Sequence, residues 1–297
     1  MLTDFRLSVM EQNLGTYGIV VHQRGVKVAE HFYRNNDRTN VFSVAKTFTS
    51  MGVGIAESLN LFKLTDKVLD FFPEYKNIAS EGSESIIIED LLQMHSGHTK
   101  SFLRTNDVIW DKDADFTKAF FETEIEKPKK FFYENAASYI LSRVVEKTSG
   151  KTLKDFMLPL FFNKLDIGFV NWASCPKGHT LGGFGLYLTT DELSKLGLVL
   201  LERGFYNDIE VVPANYIERA INNKKDCYLE NLPETQFGYS YQIWHNSIKG
   251  SFRADGKYGQ SILVFPEKEA VISITSHFEG NQNDILKAIY KDILPKL

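Results

Sequence analysis

Ser43-Val44-Ala45-Lys46 places a hydroxyl and an amine three residues apart. They open a stretch, Ser43 to about Asn60, in which Phe48, Met51, Ile55 and Leu59 recur at helical spacing. Residues three apart share a helix face, so the Lys46 amine can reach the Ser43 hydroxyl. A helix N-terminus adds unpaired N–H groups and a partial positive charge, which favour an alkoxide and disfavour a protonated lysine. An ordinary lysine, with a pKa of about 10.4, is a poor base at neutral pH. Burial and a nearby cation would lower it enough to take the serine's proton. The competing reading makes Ser43 a plain N-cap and Lys46 a solvated charge. A second tetrapeptide of this kind, Ser174-Cys175-Pro176-Lys177, falls in a loop with no helix to align it.

Two further groups carry possible chemistry. Tyr133-Glu134-Asn135 stands just before a helix expected over Ala136 to Thr148. From such a junction the phenol of Tyr133 can pass a proton between nucleophile and leaving group, and the amide of Asn135 can hold a substrate carbonyl or the lysine. Alternatively Tyr133 packs beside Phe131 and Phe132, and Asn135 caps the helix. Gly256-Lys257-Tyr258-Gly259-Gln260 leads into the apolar run Ser261 to Phe265. Glycine lets a substrate approach the backbone closely, and the Gln260 N–H paired with that of Ser43 would make an oxyanion hole. The alternative is an ordinary hairpin turn.

The elements that must position these groups follow from patterning. Residues 1–14 read as an amphipathic helix stopped by Gly15, and Tyr17 to His22 and Val26 to Phe32 as a hairpin around Gln23-Arg24-Gly25. Helices are expected at Ser85 to Met94, Ala136 to Thr148 with Gly150 as C-cap, Leu153 to Leu165, and Thr190 to Arg203 before Gly204. Glu230 to Thr235 reads as a loop. Strands return at Gly238 to Trp244, Ser251 to Asp255, Gln260 to Phe265 and Ala270 to His277, and a helix closes Asn281 to Leu297. The expected fold is α/β of the α+β type. An antiparallel sheet formed by the N- and C-terminal segments is flanked by helices and interrupted by a mainly helical insertion. Residues 1–60 and 236–297 would form the sheet domain and 61–235 the insertion, with a cleft between them.

Composition narrows the classes. The 297 residues are 43% hydrophobic and 24% charged, as in an ordinary globular protein. A net charge of −4 gives no basic excess for nucleic acid. No apolar run approaches the roughly 18 residues of a membrane span, and the N-terminus does not read as a signal peptide, so a cytoplasmic location without membrane contact is expected. Cys175 and Cys227 share no metal or redox spacing.

The three groups together, in this order, resemble the serine β-lactamase and penicillin-binding protein superfamily with its S-x-x-K, Y-x-N and K-T-G boxes. The chain is most similar to the class C β-lactamase-like branch of esterases, D-aminopeptidases and 6-aminohexanoate-dimer hydrolases. The resemblance spans nearly the whole chain. Leu91-Leu92-Gln93-Met94-His95-Ser96-Gly97 resembles the branch's "LL-x-[HM]-x-SG" segment. Phe131 to Asn135 resembles its "F-x-YSN" box with Glu134 in place of serine. Gly182 to Leu193 is similar to its "GG-x-GL-x-x-T-x-x-[DE]-L" stretch, and Gly256 to Gln260 with Phe265-Pro266-Glu267 to its "G-x-x-GQ … P-E" ending.

This resemblance implies that Ser43 is acylated, that Lys46 and Tyr133 share the base and acid roles, and that Asn135 contacts the substrate carbonyl group. It also implies an oxyanion hole from Ser43 and Gln260, with Lys257, Tyr258 and Gly259 as the third box. Tyr258 replaces the small hydroxyl residue of β-lactam-specialised members, which favours an esterase or amidase. The expected function is ester or amide hydrolysis of a small molecule through an acyl-enzyme, with no cofactor or metal. The alternatives are a β-lactamase or D,D-peptidase, and a non-catalytic binding or sensing member of the fold.

Other residues have plainer readings. His95 and His98 flank Gly97 without further ligands for a metal and are expected in a cleft-lining loop. His277 ends the last strand or faces the cleft, and Arg253 and Asp255 pair with each other or with substrate. Asp111, Asp113 and Asp115 read as a solvated face. Phe102, Trp110, Phe184, Tyr187 and Trp244 fall where they could border an apolar pocket.

Overall fold

The computed structural model describes residues 1–101, 103, 111–230 and 232–297. The first segment forms α1 (Thr3–Glu11), β1 (Thr16–Gln23), β2 (Val26–Phe32), β3 (Thr39–Asn40) and α2 (Val44–Ser58). The middle forms α3 (Ile88–Leu92), α4 (Phe116–Glu122), α5 (Asn135–Ser149), α6 (Leu153–Met157), β4 (Asn171–Trp172), β5 (Leu186–Leu188), α7 (Thr190–Leu201), β6 (Phe205–Tyr206), β7 (Ile209–Glu210) and α8 (Ala214–Asn222). The last segment forms β8 (Trp244–His245), β9 (Phe252–Gly256), β10 (Gln260–Phe265), β11 (Ala270–Ser276) and α9 (Asn283–Asp292).

Both ends of the chain contribute to one antiparallel sheet of order β2-β1-β11-β10-β9-β8. A smaller sheet, β3-β5-β4, joins the strand just before α2 to two strands of the middle segment. The β1–β2 hairpin closes through Arg24 and Gly25, whose φ angles of 51° and 74° give the turn that matches strand twist.

Side-chain alternation gives the main sheet two buried faces. Ile262 and Val264 of β10 and Val271 of β11 face one cluster, which includes residues of α2 and α7. Leu263 and Phe265, with Ala270, Ile272 and Ile274, face the other, which α1 and α9 cover. Gly197 of α7 lies so close to the sheet that a Cβ there would collide with Val271 and Ile262. On the opposite face the buried Ser8 hydroxyl donates to Asp292 at 2.6 Å, joining α1 to α9.

Several elements are shorter than patterning suggests. The strand expected over Gly238 to Trp244 is only β8, because Gln242 at φ 61° turns the chain and Tyr239 bridges back to Trp244. The helix expected over Leu153 to Leu165 leaves α geometry after Met157, where Pro159 lacks an N–H, and continues as a wider turn. The helix expected over Ser85 to Met94 is confined to α3, before Met94 at φ 57°. The first helix ends at Glu11, and the final one gives way after Asp292 ahead of Pro295. Gly150 closes α5 at φ 72°, as its sequence position indicates.

Candidate active site

The turn into α2 aims Ser43. Asn40 accepts the Phe42 N–H at 2.9 Å and helps hold Phe42 at φ 48°, a left-handed conformation that non-glycine residues adopt at a cost. Ser43 follows at the N-cap of α2, partly exposed, while the helix behind it is buried through Ala56. Lys46, one turn in, is therefore 1% exposed.

Its Nζ lies 3.0 Å from Ser43 Oγ, 2.6 Å from Asn135 Oδ1 and 2.9 Å from the Gly183 carbonyl oxygen. Burial pushes the Lys46 ammonium down from its ordinary value to about 7, against the opposing charge of Glu134. The cause is burial and not a neighbouring cation. Tyr133, leading into α5, places its ring 5.0 Å from the same Nζ and is backed by Trp244 and Tyr239. Burial raises its phenol above the usual range, partly offset by hydrogen bonding to Ser43.

Ser43, Tyr133 and Lys257 line two neighbouring hollows of about 260 and 340 Å³. The first is walled by Leu229, Leu232, Trp244, Asp255 and Gly256, the second by Phe42, Asn135 and Phe184. Gly256 is pressed against the turn into α2, where a Cβ would collide with the Val41 carbonyl, so β9 ends beside Ser43. Among the described residues the backbone N–H groups of Ser43 and Lys257 have no hydrogen-bond partner.

The family model named Beta-lactamase matches residues 8–294. The chain belongs to that family. No curated protein matches it. A proposed 6-aminohexanoate-dimer hydrolase from Bacillus anthracis aligns with 98% of this chain and 82% of its own, at TM-score 0.79 and 22% identity. The octameric penicillin-binding protein homologue from Pyrococcus abyssi aligns with 98% of this chain and 76% of its own, at TM-score 0.75 and 17% identity. A family VIII carboxylesterase aligns with 98% and 97%, at TM-score 0.72 and 12% identity. At these identities the likeness is one of fold.

Within this Beta-lactamase-family fold, Ser43, Lys46, Tyr133 and Asn135 converge, and the third box divides. Lys257 lines the cleft. Tyr258, at φ 66°, stacks on His277 and packs edge-on to Phe42. A Cβ on Gly259 would meet Ile285 of α9. Gln260 is 1% exposed, paired opposite Gly256 in the β9–β10 ladder, and its side chain bonds Ser276. Of this box Lys257, which follows the end of β9 at Gly256, is the residue that lines both hollows. Asn135 donates to the Leu103 carbonyl at 2.9 Å while accepting from Lys46, so its amide holds the lysine.

The remaining residues take structural places. His98 is buried against Phe120 instead of lining the cleft, and His95 packs on Phe131. Arg253, 1% exposed, holds Asp255 at 3.0 Å. Lys177 of the second S-x-x-K pairs with Asp115, which caps α4. Phe184 and Trp244 border the cleft, Tyr187 lies in β5, and Phe102 and Trp110 fall outside the described residues. Among the described residues no three His, Cys, Asp or Glu gather to hold a metal, and no helix is long and apolar enough to cross a membrane.

Sequence reasoning missed the Gly183 carbonyl and the hub at Gln242. Gln242 donates from its side chain to Leu91 and Leu92 and accepts from Ser138 at 2.6 Å, and its carbonyl accepts from Thr47 at 2.7 Å. A backbone oxygen has no signature in sequence. The left-handed Gln242, inside what reads as a strand, gave no signal either.

Proposed function

We propose that this chain is a serine hydrolase that cleaves an ester or amide of a small molecule through an acyl-enzyme on Ser43. The observation that carries the reading is the Lys46 amine, 3.0 Å from Ser43 Oγ and brought by burial to about 7. At neutral pH much of it is unprotonated and able to take the serine's proton as Ser43 attacks the carbonyl.

The N–H groups of Ser43 and Lys257, two residues that line the cleft, hold the developing oxyanion. Tyr133, whose phenol stays protonated, passes a proton to the leaving group and takes the serine's proton from Lys46 in return, which leaves the lysine neutral again. Lys46 then activates the water that releases the acyl group. The two hollows meeting at Ser43 suit the acyl and leaving groups, with Leu229, Leu232 and Trp244 giving one of them an apolar wall.

The test is turnover of short p-nitrophenyl esters by the wild-type chain and by Ser43→Ala. The variant is expected to fall to background, and unchanged turnover would remove the assignment. Amides, D-amino peptides and a chromogenic cephalosporin assayed beside the esters identify the substrate class. Fast cephalosporin turnover would favour a β-lactamase, and a stable adduct a penicillin-binding protein.

A further inference from the structure

Glu134 interrupts the Tyr133–Asn135 pair with a carboxylate. It is 2% exposed at the N-cap of α5, in extended geometry, yet caps nothing. Its side chain turns to the loop Met94–His98. Ser96 donates to its Oε1 at 3.2 Å, and His98 Nδ1 stands 3.4 Å from the same oxygen. His98 is fixed in turn. Its Nε2 lies 3.2 Å from the Phe120 carbonyl, which can only accept, so that nitrogen carries a hydrogen. The Phe120 ring packs edge-on at 4.4 Å. One backbone bond, Phe132 N–H to the Met94 carbonyl at 2.9 Å, runs alongside.

The second carboxylate oxygen, Oε2, is buried and has no hydrogen-bond partner among the described residues. An unpartnered oxygen in a buried carboxylate is costly when packing is its sole purpose. Glu134 lines the same hollow as Ser43 and Asn135, two residues that hold the Lys46 amine, and its charge opposes the loss of the Lys46 proton that burial drives.

We propose that Glu134 and His98 are positioning residues of the active site. They anchor Tyr133 and Asn135 to the loop Met94–His98 and set a negative charge behind Lys46. The proposal rests on the reading of Lys46 as the base for Ser43. Among the described residues, the other titratable or charged groups by that amine or lining its cleft are Tyr133, Lys257, and Asp255 with its partner Arg253 on β9. Of these, Asp255 is occupied by Arg253 and Lys257 carries the wrong sign, so among the described residues Glu134 is the counter-charge.

The experiment follows labelling of Ser43 by a fluorophosphonate as a function of pH, with kcat and KM on a p-nitrophenyl ester. Circular dichroism checks folding. Glu134→Gln keeps the shape and removes the charge. It is expected to move the acid limb of labelling to lower pH by about half a unit or more, because the neutral amine is no longer opposed. Glu134→Asp keeps the charge and shortens the reach. It is expected to leave the limb in place and lower kcat several-fold at nearly constant KM.

A Glu134→Gln limb that coincides with wild type overturns the counter-charge, and a Glu134→Asp kcat equal to wild type overturns the anchoring. Failure of both variants to fold also overturns the proposal, since a pair needed only for folding tunes nothing at Lys46. Ser43→Ala separates the two readings. Labelling that survives it removes the serine nucleophile itself, whereas its loss alongside an unmoved Glu134→Gln limb removes only the role of Glu134.

Discussion

Lys46 has three partners and one nitrogen, and their chemistry matches the neutral amine. The Asn135 and Gly183 carbonyl oxygens only accept, so they take its two hydrogens, and the lone pair is left for the Ser43 hydroxyl. The same burial that lowers the Lys46 ammonium's pKa destabilises the fold when the amine is protonated. The unfolded chain holds the Lys46 proton up to about pH 10.4, while the folded chain releases it near 7. Across that window the unfolded state binds more protons, so the lysine's contribution to stability improves as pH rises and is least favourable below about 7. Denaturant unfolding of the wild type and of Lys46→Met, at pH 7 and about 9.5, should show the wild type gaining about 2–4 kcal/mol on the variant at the higher pH. An unchanging difference would mean that Lys46 is solvated. Esterase activity should fall on acidification with a midpoint near 7 and be lost in Lys46→Met.

At the scale of elements, the site is a junction between α2, α5, the loop at Gly182 and the end of β9, and glycines set how closely they meet. Gly182, at φ 67°, would place a Cβ 2.5 Å from the Ser138 carbonyl of α5, while its own carbonyl accepts from Thr49 of α2 at 2.7 Å. The adjoining Gly183 carbonyl accepts from Lys46. Gly182→Ala therefore meets both a left-handed backbone and a backbone clash. It should destabilise the chain by on the order of 2 kcal/mol or more. Ester hydrolysis should fall more than folded content does, because the displaced Gly183 oxygen no longer orients the amine. Thermal melts beside kcat measure the two effects, and full activity in the variant would show that this oxygen is dispensable. Sequence made some of this junction readable. Ser43 and Lys46 stand out because helical spacing couples them, Gly150 because a C-cap needs positive φ, and the hairpin because two residues close it. The Gly182-Gly183 stretch was visible as a resemblance, but its work is done by carbonyl oxygens and close approach, which belong to tertiary structure. The third box is legible only as a motif, for a related reason. Residue order does not say where a strand ends, and the end of β9 at Gly256 brings Lys257 to the cleft and carries Gln260 away from it.

At the scale of the whole molecule, the sheet couples the site to the core on its far face. β10 and β11 send alternate side chains to the α2–α7 face and to the α1–α9 face, so neither core can lose its order while the strands between them persist. Phe5 of α1 is fully buried in the second core, on the far side of the sheet from Ser43. Truncating it removes aromatic packing and leaves a cavity, at a cost of about 3–5 kcal/mol. Because the strands are shared, that loss should lower the midpoint of one cooperative transition, with α1 and the Ser43 region unfolding together. Below the transition, kcat/KM per folded molecule of Phe5→Ala should equal that of the wild type, since no group at the cleft has moved. Unfolding followed in parallel by far-ultraviolet circular dichroism and by loss of fluorophosphonate labelling tests both statements. Two separate transitions would show that the α1–α9 layer folds independently of the face that carries Ser43. An early loss of labelling would show instead that the sheet transmits strain from one face to the other.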